Sequence, residues 1–140
     1  MFNPEPISFK LNDGDFIRLK KAYPNMRSNH DIGNFGVEVA KLYLESKGAI
    51  NVLMEVDKID LQATLNGKRL KYEVKSTANL NLAFGQLKVS SPKDYKSLVN
   101  EGMEVIRVTK VGQQSLVIYI LKHDRDFILE EEPRWRFAKK

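Results

Sequence analysis

Asn66-Gly67 separates two segments that alternate apolar and polar residues, Ile59 to Leu65 and Arg69 to Lys75. Both positions of such a pair tolerate positive φ, so a hairpin with a two-residue loop is expected. A loop that short fixes register. Leu65 then faces Lys68, Ala63 faces Leu70, Leu61 faces Tyr72 and Ile59 faces Val74, so apolar residues meet apolar ones. The same register sets Asp60 opposite Glu73, and facing carboxylates destabilise a sheet. Lys75, two residues beyond Glu73, projects from the same face. A divalent cation would compensate the paired negative charge, and oxygen ligands select hard ions such as Mg²⁺ or Mn²⁺. A solvated face on which Lys71 and Lys75 neutralise Glu73 is the alternative, and Lys58 would face Lys75 as a like-charge pair. Glu45-Ser46-Lys47 repeats the Glu-x-Lys spacing on an expected helix, where residues two apart share no face.

The rest of the chain frames this hairpin. Asp15 to Tyr23 reads as a short helix stopped by Pro24. From Gly33 to Lys47, Phe35, Val39, Leu42 and Tyr43 recur at helical spacing, and Gly48 follows as a C-terminal cap. Ile50 to Val56 reads as a strand and Ala83 to Val89 as an extended segment. Pro92 to Asn100 reads as a helix, and Met103 to Thr109 and Ser115 to Leu121 as Val- and Ile-rich strands. The order is helix, three strands, helix, two strands, which makes the chain mixed α/β. One domain is expected from 140 residues, with an extension at 1–32, a core at 33–121 and a tail at 122–140.

Composition removes competing chemistries. Cys is absent, so disulfides, thiol nucleophiles and thiolate zinc sites are excluded. His30 and His123 are the two imidazoles, too few for most His-based sites. No run is apolar enough to cross a bilayer and the first residues lack a secretory pattern, so a cytoplasmic protein is expected. A net charge of +5 favours a polyanionic partner. In the tail, Arg134-Trp135-Arg136-Phe137-Ala138-Lys139-Lys140 mixes cations with aromatics as nucleic-acid contacts do. Packing of Trp135 and Phe137 against the body is the competing reading, and Glu130-Glu131-Glu132 would repel phosphate.

The acidic residue before a hairpin whose second strand carries Glu73-Val74-Lys75 resembles the PD-(D/E)XK, or restriction-endonuclease-like, metal-dependent nucleases. The likeness spans about Gly33 to Leu121 and includes small standalone members similar to Holliday-junction resolvases. It implies an αβββαβ core, with a mixed central sheet flanked by helices. Asp60 and Glu73 match the family's metal-binding carboxylates, and Lys75 its catalytic lysine. Glu38 resembles the extra glutamate of the resolvase-like branch, and Gln86 the polar residue after the lysine. Ser76 and Thr77 are the small hydroxyl residues often found there, while Ile59 stands where many members have Pro. By this resemblance Asp60, Glu73, the Val74 carbonyl and Glu38 would hold Mg²⁺ (or Mn²⁺), with Lys75 and Gln86 assisting catalysis. No His is expected near this motif, so metal-bound water would protonate the leaving 3′ oxygen. The implied protein is a homodimeric endonuclease acting on DNA, selective for junctions or branches, with RNA also open as substrate. A non-catalytic nucleic-acid-binding or protein-interaction module is the alternative.

Overall fold

The computed structural model describes residues 4–56, 59–83, 87–89, 91–130 and 135–140. At its centre, β3 (Ile59–Leu65) and β4 (Lys68–Ser76) pair antiparallel, with Leu61 opposite Tyr72, Ala63 opposite Leu70 and Leu65 opposite Lys68. Asn66 and Gly67 have φ of 52° and 78°, the left-handed pair whose twist suits a two-residue turn. β2 (Ile50–Val56) lies outside β3 as an edge strand. On its other side β4 runs parallel to β6 (Glu104–Thr109). Parallel neighbours require a long crossover, and the chain between them carries β5 (Lys88–Val89) and α3 (Pro92–Asn100). β7 (Ser115–Leu121) and then β1 (Ile7–Lys10) continue the sheet, giving the order β1-β7-β6-β4-β3-β2. The protein is mixed α/β.

Two layers cover this sheet. α1 (Asp13–Ala22) and α2 (Asn29–Ser46) bury Leu19, Phe35, Val39 and Tyr43 against Leu61, Tyr72, Val74 and Ile106. The opposite face holds Val105 and Leu121, packed against Leu98 of α3 and against a second, three-stranded sheet. That sheet is β5 with β8 (Phe127–Glu130) and β9 (Trp135–Lys139), in the order β5-β9-β8. Among the described residues no helix is long and apolar enough to cross a membrane.

Where the elements differ from expectation, polar residues are the reason. α2 begins at Asn29 rather than Gly33, because the Ser28 side chain accepts the Asp31 N–H at 3.3 Å and starts the helix in a polar turn that periodicity does not reveal. Asn12 caps α1 in the same way at 2.7 Å. Of the extended segment expected at 83–89, Lys88–Val89 is strand, and residues 84–86 lie outside the described residues. The stretches read as extension and tail contribute β1, α1, β8 and β9. Phe137 is 1% exposed and stacks on Phe127 at 4.3 Å, while Trp135 lies 4.7 Å from the Tyr95 ring. Packing against the body is therefore the role of both aromatics. Residues 131–134, which include Arg134, fall outside the described residues.

Gly36 sets how closely α2 approaches the hairpin. A Cβ there would overlap the Ser76 hydroxyl, so only glycine lets the helix lie directly on the end of β4. This contact brings the first turns of α2 beside Val74 and the residues around it.

Candidate active site

The hairpin ladder runs from Leu65 opposite Lys68 to Leu61 opposite Tyr72. Beyond that pair, the Asp60 side chain takes over the backbone's work: its Oδ2 accepts the Val74 N–H at 2.8 Å. A strand residue directs its N–H and C=O to the same edge, so the Val74 carbonyl also faces the β3 side. Asp60 is thus locked to β4 where Glu73 and Lys75 emerge. Lys75 Nζ donates to Glu73 Oε1 at 2.9 Å, with the side chains 27% and 14% exposed respectively. Glu73 Oε2 is buried and meets no hydrogen-bond donor among the described residues. A small cavity of about 40 Å³ lies between Asp60, Glu73, Tyr72, Met103 and Asp94.

Burial dominates the electrostatics here. It pushes the Asp60 carboxyl above its ordinary value, against the Val74 N–H and the Lys75 charge, while Asp94 and Glu55 add to the push. Glu73 is raised by burial as well, with Lys75 pulling it down and Asp94 and Asp60 pushing it up. Both carboxyls therefore reside in a pocket that disfavours their charge. A cation between them would reverse the balance.

Asp94 and Glu55 were not legible as site residues. Asp94 occupies the first turn of α3, where its N–H bonds the Ser91 hydroxyl at 3.1 Å, and an acid there reads as an ordinary helix-start residue. Only the crossover brings that turn over β3 and β4. Glu55 sits on the edge strand with φ of 57°, a left-handed kink invisible in the alternation of β2. His30 corrects the expectation that no imidazole approaches the motif. It lines a 260 Å³ cavity together with Asp60, Val74, Glu55 and Asn34. Its Nδ1 lies 3.2 Å from Asp31 Oδ1, and its Nε2 lies 3.2 Å from the Asn34 side-chain nitrogen.

Glu38 stands apart from this group. Its carboxylate faces Arg18 at 3.8 Å and lines a neighbouring 210 Å³ cavity, which shares Asn34, Val37 and Glu55 with that of Asp60. Gln86 and Lys58 lie outside the described residues. Ser76 Oγ is buried without a partner beneath Gly36, and Thr77 turns inward, its hydroxyl accepting the Asn79 N–H at 3.1 Å.

No protein-family model, curated protein or solved structure matches the chain. The site must be judged on its own chemistry. Among the described residues no three His, Cys, Asp or Glu side chains form a ready group for a metal ion. Mg²⁺ does not require one, since it usually takes one or two carboxylates and completes its shell with water and substrate phosphate oxygens. Asp60 and Glu73, with the partnerless Oε2 directed inward, suit that mode and its all-oxygen donor set.

Proposed function

We propose that the protein is a metal-dependent nuclease with a restriction-endonuclease-like core, hydrolysing DNA phosphodiester bonds. The observation that carries the reading is the Asp60–Val74 bond, which fastens one carboxylate beside a second whose buried Oε2 meets no donor among the described residues. Retaining two acids in a place that disfavours their charge costs stability, and a cation-dependent activity is a physical reason to keep them. The element order α2-β2-β3-β4-β5-α3-β6, in which the short β5 joins the second sheet and β4 runs parallel to β6, supports the same reading.

Each residue has a distinct task in this mechanism. Bound Mg²⁺ supplies Lewis-acid polarisation of the phosphodiester. Asp60 is held rigid by one oxygen, which orients the other. Glu73 presents Oε2 and keeps Oε1 for Lys75. The Lys75 ammonium, held within the site by Glu73, donates hydrogen bonds where negative charge develops on the phosphoryl oxygens. Glu38 and Glu55, in the adjoining cavity, extend the acidic wall. Gln86 and a homodimeric assembly belong to the proposal through the family resemblance alone.

The test is a panel of branched, single-stranded and duplex DNAs incubated with Mg²⁺ or Mn²⁺, with and without EDTA. Cleavage by the wild type that EDTA stops, and that Asp60→Ala and Lys75→Ala lack, is the expected result. Equal cleavage by wild type and Asp60→Ala would sink the mechanism. A second reading, a nucleic-acid-binding module without catalysis, is favoured by the closed Lys75–Glu73 pair. It predicts binding that weakens with salt and no metal-dependent cleavage.

A further inference from the structure

Arg107 is a buried cation without a counter-charge among the described residues. It lies on β6, is 3% exposed, and makes one hydrogen bond among the described residues, from Nε to the Leu82 carbonyl at 3.0 Å. No carboxylate among the described residues pairs with it, and burial alone pulls its guanidinium down to about 10, so it stays charged at neutral pH. Burying an unpaired charge is among the most unfavourable arrangements a fold can keep. Its neighbour makes matters worse. In the parallel register Arg107 stands directly beside Lys75, so two cations adjoin on one sheet face. Lys75 has Glu73 as its carboxylate partner; Arg107 has none among the described residues.

The guanidinium is a planar fork of five N–H donors, and one carbonyl uses only one of them. The sealed and partnerless side-chain atoms of the described residues are Glu73 Oε2, Ser76 Oγ and Asp126 Oδ1. The Arg107 Nη nitrogens are not among them, so the end of the fork is not fully sealed, and partly exposed Lys75 is its neighbour on the sheet. A fork with free donors, a stored positive charge and a second cation alongside is suited to a tetrahedral oxyanion, which Arg binds bidentately.

We propose that Arg107, next to Lys75, seats a backbone phosphate of a nucleic-acid strand crossing the C-terminal ends of β4 and β6. The choice of ligand rests on the nuclease reading; the anion seat itself rests on the unpaired, buried fork. Arg107 is a binding residue here, not a catalytic one, and the phosphate it holds is a neighbour of the one being cleaved.

The full chain in EDTA is titrated with a short single-stranded oligonucleotide lacking terminal phosphates and, separately, with inorganic phosphate. Wild type, Arg107→Met and Arg107→Lys are compared for affinity, for salt dependence and for thermal midpoint. Arg107→Met is expected to bind the oligonucleotide about tenfold more weakly, since it loses a charged hydrogen-bond pair. Its slope of log affinity against log salt falls by about 0.7, one phosphate contact on a single strand. Inorganic phosphate raises the midpoint of the wild type and not of Arg107→Met, and the free variant is at least as stable as wild type because the unpaired charge is gone. Arg107→Lys keeps the charge and loses the fork, so it falls between the two. The proposal is overturned if Arg107→Met binds the oligonucleotide with wild-type affinity and salt slope. It is equally overturned if Arg107→Met loses stability while Arg107→Lys restores stability and both bind alike, because the side chain then only props Leu82. Phosphate binding without any oligonucleotide effect removes the strand assignment. Binding is read without metal, so a failure to cleave DNA leaves this test intact, and a failure here leaves the cleavage test intact.

Discussion

Towards α1 and α2 the central sheet turns Leu61, Tyr72, Val74, Ile106 and Ile118, and the layer between is apolar. Towards α3 and the second sheet, adjacent residues of the same strands turn Glu73, Lys75 and Arg107 alongside Val105 and Leu121. Strand alternation guarantees that the two faces differ by a single residue step, yet they serve opposite ends. The first gains stability by removing apolar surface from water. The second buries an apolar cluster too, but gives part of that stability up because it also holds carboxyls and a guanidinium where burial disfavours their charges. A sheet can support a costly face when its other face is well packed.

The sharpest break of this comparison is Phe35→Ala, in the apolar layer where Phe35 is fully buried. It is expected to cost about 3–5 kcal/mol in chemical denaturation while leaving cleavage per folded molecule unchanged. Loss of cleavage without loss of stability would mean that the apolar layer shapes the site directly. Next come Asp60→Ala and Lys75→Ala, for which metal-dependent cleavage falls at least about a hundredfold with the fold intact by circular dichroism. Gly36→Ala lies between the faces, since the added methyl meets Ser76 one residue after Lys75. It should lower stability by about 1–3 kcal/mol and reduce cleavage as well, because α2 must shift off β4. Unchanged stability would show that Ser76 gives way freely.

The smallest effect concerns pH. Glu73 is raised above its ordinary value in the fold, so between its unfolded and folded pKa the native state binds more protons than the unfolded one. Stability from this group is therefore present at low pH and lost as pH rises through the folded value. Glu73→Gln should be more stable than wild type at neutral pH without metal, and the gap should close below about pH 4. Thermal melts across pH check this, and a gap that widens on acidification would reverse the assignment. Added Mg²⁺ should raise the wild-type midpoint at neutral pH more than that of Glu73→Gln.

Much of this was legible from local signals. The Asn66-Gly67 turn, the pairing of Leu61 with Tyr72, the helix from Pro92 to Asn100 and the convergence of Asp60, Glu73 and Lys75 all follow from short-range rules of turn geometry and alternation. β8 and β9 were not read as strands, because they are short and the sheet they form is completed by β5, far back along the chain. Glu38 was placed by resemblance with the catalytic group; the fold also sets it 3.8 Å from Arg18 of α1, an element no motif connects to it. Asp94, Glu55 and His30 approach Asp60 only once α3, β2 and α2 are assembled around the hairpin.

The amino-acid order alone places two carboxylates and a lysine on one face of the hairpin, since a two-residue loop leaves it a single register. It also ruled out thiol chemistry by the absence of Cys. Tertiary structure decided everything that depends on burial and on non-local neighbours. Among the described residues it left Glu73 Oε2 without a donor, let the Asp60 carboxylate replace a ladder bond at Val74, and set Arg107 beside Lys75 with no anion to meet it. A pattern of residue types fixes which side a group points to, but solvent access and the charge of what lies opposite are set only when distant segments pack.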